Sequence, residues 1–123
     1  MDMLRIGVFL LFLGFIPVMA KGVEVTTLKG RVVDAKCHIT MDMTGPGHAK
    51  CAAKCIQDGF PAALVADSTN QIFFFIFEDP TKGKEQLVKL AEKRVEVNGK
   101  VYQEAHAIEV KSIKELKEPA VKN

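Results

Sequence analysis

The segment "VEVTTLKGRVVDAKC", residues 23 to 37, limits the fold more than any other stretch. It is rich in β-branched residues and carries a glycine, Gly30, at its middle. Strands usually run about 5 or 6 residues, so a strand this long must bend or serve two partners. Gly30 is where a bulge or sharp bend is expected. A long bent first strand is what a small closed barrel requires, because it pairs with both halves.

The rest of the chain supplies shorter elements. "PAALVAD" reads as a short apolar strand and "DSTNQ" as a polar turn. "IFFFIF", residues 72 to 77, is a continuous apolar run of strand length that belongs in a core. Together they predict a hairpin. In "EDPTKGKEQLVKLAEKR", Leu87, Val88, Leu90 and Ala91 fall at helical spacing, and Thr81 is placed to cap that helix. Asn98-Gly99, flanked by Val95, Val97 and Val101, predicts a two-residue hairpin turn. "HAIEVKSI" closes the series as the last strand. The order predicts an α+β fold, mostly β: a small five-stranded OB-fold-like antiparallel barrel with two short helices, one of them between the third and fourth strands. Another small α+β sheet is the competing arrangement.

The ends of the chain say where it works. "MDMLRIGVFLLFLGFIPVMA" has a basic residue, Arg5, an apolar run from Ile6 to Ile16, and Val18 and Ala20 at the small-residue positions of a cleavage site. That is the pattern of a signal peptide over residues 1 to 20. The apolar run is short for a membrane span, which needs about 20 residues, so no stable span is expected after cleavage. Residues 21 to 114 then form one domain and 115 to 123 a flexible charged tail. The expected location is periplasmic or extracellular. A net charge of +2, spread along the chain, gives no basic patch for nucleic acid. No protein partner can be named from sequence.

All three cysteines lie between residues 37 and 55, in "CHITMDMTGPGHAKCAAKC". "GPGHAKCAAKCIQDG" reads as a short helix with Pro46 in its first turn and Gly59 ending it. With His48 at zero and about 100° per residue, Cys55 falls near −20° and Cys51 near −60°. His48, Cys51 and Cys55 then share one face, expected to turn toward the sheet, while Cys37 ends the first strand. Three chemistries suit that arrangement. A disulfide from Cys37 to Cys51 or Cys55 would pin helix to barrel; an exported chain meets an oxidising space, although an odd cysteine remains. Cys37, His48, Cys51 and Cys55 would otherwise make a sulfur and nitrogen donor set for zinc or copper, with His38, Met41 and Met43 as possible extra donors. A reactive thiol is the third choice, with His48 close to Cys51. Neither C-x-x-C nor C-x-x-C-H occurs, so covalent haem is not expected, and no nucleotide-binding motif is found.

"GRVVDAKCH", then "GHAKCAAKCIQDGFPAALV", resembles a group of small exported bacterial proteins of unassigned function. They share a G-x-V-x-D-x-x-C start followed by H-x-x-C-A-x-x-C-I-x-x-G. Gly30, Asp34, Cys37, His48, Cys51, Ala52, Cys55 and Gly59 match that pattern. The resemblance implies an OB-type barrel and marks the Cys/His cluster as the site, without bringing an activity. A looser similarity, at fold level only, is to periplasmic copper- and silver-handling OB-fold proteins. The expected function is therefore a non-enzymatic exported domain that binds a soft metal or couples it to redox chemistry. The competing function is a disulfide-stapled adaptor recognising a protein, peptide or glycan through barrel loops.

Overall fold

The computed structural model describes residues 25 to 117. The expected signal peptide and residues 118 to 123 of the expected tail lie outside them. Five strands, β1 (Val25–Asp34), β2 (Ala62–Ala66), β3 (Ile72–Ile76), β4 (Arg94–Tyr102) and β5 (Ala107–Glu115), close into a barrel in the order β1-β2-β3-β5-β4. This is a small OB-fold-like α+β architecture, as the element order predicts. Among the described residues no helix is long and apolar enough to cross a membrane.

The long first strand works as its length demands. Its first part pairs with β4, from Val25 opposite Lys100 to Arg31 opposite Arg94. Its second part pairs with β2, from Gly30 opposite Ala66 to Asp34 opposite Ala62. Gly30 therefore faces both neighbours, and a Cβ there would stand 2.1 Å from the carbonyl oxygen of Val65. Only a residue without a side chain fits that crossing.

Four expectations need correction. The sheet is mixed: β3 runs parallel to β5, with Phe74 opposite Ala107, and the other pairs are antiparallel. Asn98-Gly99 makes no hairpin turn; β4 runs straight through it, with a register irregularity between the two residues, and the reversal comes between Tyr102 and Ala107. Gly99 is needed there because a Cβ would meet the Glu109 carbonyl oxygen at 2.1 Å. Among the described residues the helices number three rather than two: α1 (Ala35–Met41), α2 (Ala49–Gln57) and α3 (Pro80–Lys89), plus a 3-10 turn at Pro46–His48. The unforeseen one, α1, starts where the first strand was expected to continue, because Asp34 caps it by accepting the Cys37 N–H at 3.1 Å. Asp79, not Thr81, caps α3, accepting from the Thr81 and Lys82 amides.

The core is continuous. Ala52 and Ile56 of α2 join Leu87, Leu90 and Ala91, Val32 of β1, Leu64, Phe73, Val95, Val97 and Ile108 in one buried cluster. Phe75 and Phe77 pack against it. A smaller cluster of Val33, Ala35 and Ala63 forms around the start of α1, on the other face of β1.

Candidate metal centre

Asp34 is the last residue of β1 and the cap of α1, so its carboxylate is fixed by two elements at once. Its side chain is almost fully buried, at 1% exposure. Cys37 lies in the first turn of α1, and its backbone amide and its thiol both hydrogen-bond the Asp34 carboxylate. His48 ends the 3-10 turn just before α2 and is itself buried. Its Nε2 lies 3.3 Å from Asp34 Oδ2 and donates to it. One donor atom from each of Asp34, Cys37 and His48 lies within 4.8 Å of the other two. This buried group could hold a metal ion.

The electrostatics follow from the packing. Burial by itself would raise the Asp34 pKa. The hydrogen bonds from the Cys37 thiol and amide and from His48, with the His48 charge, overcome that and hold it below its usual value of 3.8. Cys37 moves the other way. Its hydrogen bond to the Asp34 carboxylate, then burial, then the negative charge of Asp34, push the thiol up to about 12. Cys55 adds to that shift through a hydrogen bond to the Cys37 sulfur and its own charge.

The sequence-predicted donors divide. Cys37 and His48 meet, as expected; Cys55, half-buried on α2, is not in the group drawn within 4.8 Å and acts on Cys37 as a neighbour that raises its pKa. Cys51 does not join them: it is exposed. The helix face was misjudged because α2 turns Ala52 and Ile56 inward, at about 40° and 80° on the same wheel. Cys51 is thereby carried round toward the side of Lys50 and Lys54. His38 is half-buried with an unpartnered Nδ1, and Met41 and Met43 are exposed. All three cysteines are free thiols, so the expected staple is not formed.

Two residues of the site and its surroundings escaped the sequence reading. Asp34 was legible only as a fixed position of the resembling pattern; an Asp three residues before a Cys is also the signature of a helix cap. Glu92 gives no sequence signal. It is 3% exposed, has a positive φ of 61°, and accepts hydrogen bonds from Thr44 and Gly45 in the loop leading to His48.

No family model, no curated protein and no solved structure matches the chain. The class is therefore set by fold and site: an OB-fold-like barrel with a buried carboxylate, thiol and imidazole gathered at the end of its first strand.

Proposed function

We propose that this protein is an exported, non-enzymatic metal-binding domain whose centre is Asp34, Cys37 and His48, with Cys55 as the fourth donor. The observation that carries the reading is the Asp34–Cys37 pair. A carboxylate that stays ionised keeps the adjacent thiol protonated, since two anions in one dry pocket repel. A cation reverses that relation and lets both groups bind as anions, releasing the thiol proton.

The donors favour zinc over copper. Zinc accepts thiolate, imidazole and carboxylate at about 2.0 to 2.3 Å, which places tetrahedral donors roughly 3.3 to 3.8 Å apart. The donor atoms of Asp34, Cys37 and His48, already within 4.8 Å of one another, need only a small contraction. Copper(I) prefers sulfur, and Met41 and Met43, which carry the thioethers, are 52% and 43% exposed. Binding is also favoured over catalysis. A nucleophilic cysteine needs its thiolate, whereas Asp34 holds Cys37 protonated and engages His48 itself. Export rests on the pattern of residues 1 to 20, and the resembling group of small exported proteins agrees with it.

The test is metal titration of the reduced chain from Lys21 onward, followed by intact mass under native conditions. One equivalent of zinc, removable by a chelator, is expected, and Cys37→Ala and His48→Ala should each abolish it while Cys51→Ala does not. A fully reduced wild type that takes up neither zinc nor copper would overturn the proposal.

A second reading has its own observation, that Cys55 neighbours Cys37 closely enough to raise its pKa. Oxidised, that pair would staple α2 to α1 and leave Cys51 as a free surface thiol. Such an adaptor has an open apolar hollow of about 240 Å³, lined by Phe60, Pro61, Phe74 and Phe77 among others, in which to grip a partner. Two cysteines that resist alkylation in a metal-free native protein would select it.

A further inference from the structure

We infer that Glu92 is the positioning residue of this centre, holding the turn that carries His48 against the strand that carries Asp34. The inference rests on the metal reading and goes beyond it, since Glu92 is not a donor.

Glu92 lies just after α3, far in sequence from every site residue, yet it bonds to both halves of the centre. Its backbone N–H donates to the Val32 carbonyl at 2.7 Å, two residues before Asp34 on β1. Arg31 of the same strand donates from Nη1 to the Glu92 carbonyl. Its side chain turns the other way. Glu92 Oε2 accepts the Gly45 N–H at 2.7 Å and the Thr44 hydroxyl at 3.1 Å. The Gly45 carbonyl in turn accepts the His48 N–H at 3.0 Å, closing the 3-10 turn. One chain of bonds thus runs from β1 through Glu92 and Gly45 to His48, whose ring returns to Asp34.

Several features say that this carboxylate is placed for the bonds it makes. It is buried, with Oε1 left without a hydrogen-bond partner. Its residue holds φ 61°, a region that glutamate seldom enters. Gly45, the residue it clamps, is at φ 103°, a conformation that L side chains rarely adopt. A buried carboxyl group and a strained backbone are costs that the Gly45 and Thr44 bonds offset. Their product is a fixed distance between the imidazole and the β1 carboxylate. Groups that orient a ligand without touching the metal commonly govern affinity.

The test uses Co²⁺ as probe metal, read by its visible bands, with amide hydrogen exchange of the metal-free protein beside it. Glu92→Asn is the informative variant: asparagine tolerates a positive φ but is one methylene too short to reach Gly45. It should weaken Co²⁺ about 10- to 100-fold and speed exchange of the Gly45 and His48 amides, leaving the β2 and β3 amides protected. Glu92→Gln keeps the accepting oxygen and should restore near wild-type affinity, which a general loss of stability would not explain. Thr44→Val, which removes one of the two bonds, should weaken Co²⁺ by less; it decides the matter, together with Glu92→Gln, if Glu92→Asn does not fold. Unchanged affinity in folded Glu92→Asn or in Thr44→Val, or a Gln variant as weak as Asn, overturns the inference and leaves metal binding standing. Wild type that binds no Co²⁺ overturns the metal reading, and this inference with it.

Discussion

The carboxylate of Asp34 caps α1, receives the His48 imidazole and faces the Cys37 thiol, all from a side chain at 1% exposure. Each duty favours its ionised form, and the charge so maintained is what keeps Cys37 a thiol. The consequence is a stability that falls at both ends of the pH range. Asp34 titrates below its unfolded value of 3.8, so its contribution is present above that value and is lost as pH falls through the lower folded value. Cys37 holds its proton in the folded chain up to about 12 but releases it near 9.0 when unfolded. Its contribution is therefore full below 9.0 and is lost as pH rises toward 12. Asp34→Asn keeps an oxygen for the Cys37 amide and removes the charge. Denaturant midpoints measured across pH should show that the variant is less stable than wild type near neutrality, with the gap closing below 3.8 and narrowing above 9.0. A gap of constant size would mean that the charge of Asp34 is not what couples the two groups.

Among the elements, α2 separates what was legible from what was not. Pro46 opens a 3-10 turn, Pro46–His48, and the α-helix itself runs only from Ala49 to Gln57; its end at Gly59, φ 107°, follows from local chemistry. Its rotation does not, because rotation is decided by which side chains find a cavity in the rest of the molecule. Ala52 and Ile56 found one, at 0% and 2% exposure, and Cys51 was turned out. The helix α1 was missed for a related reason: "AKCHITM" has no strong periodicity, and its cap, Asp34, reads as strand until the fold ends β1 there. Asn98-Gly99 misled because a glycine serves close backbone approach as well as a tight turn: neither residue has a positive φ, and a Cβ on Gly99 would meet the Glu109 carbonyl oxygen. Rotation of α2 can be tested by its energetics. Ile56→Ala removes buried methylenes beside Leu87 and Leu90 and should cost about 2 to 4 kcal/mol. Cys51→Ser, on the exposed side, should stay within about 0.5 kcal/mol. Urea unfolding of the two variants measures both; equal costs would mean that α2 faces the barrel through its cysteines after all.

For the molecule as a whole, closure joins the site to the core. The barrel closes through β1 with β4 and through the parallel pair of β3 with β5, and strand direction of that kind is set by the path of the chain rather than by any local pattern. What the sequence did carry was the long strand that makes closure possible, with its glycine at the crossing. Gly30 faces Ala66 on one side and Val95 on the other, and Asp34 lies four residues further along the same strand. A methyl group at position 30 would press on backbone, at 2.1 Å from the Val65 oxygen and 2.9 Å from its carbon, so no side-chain rotation relieves it. Strand β1 must shift away from β2, and that is the pairing that aligns Asp34 with Ala62. Gly30→Ala should therefore lower stability by at least about 2 kcal/mol. A domain of this size unfolds as one unit, so the loss should appear equally in a probe at the site, the His48 ring resonances, and in a probe across the barrel, the amides of β4 and β5. Site resonances that melt well before those strands would show the Asp34, Cys37 and His48 group to be an independently loose corner of the fold. A metal bound there would then stabilise only that corner. Coincident transitions would mean instead that a cation seated among these three side chains stabilises the entire barrel, and that its removal by a chelator lowers the midpoint of every strand together.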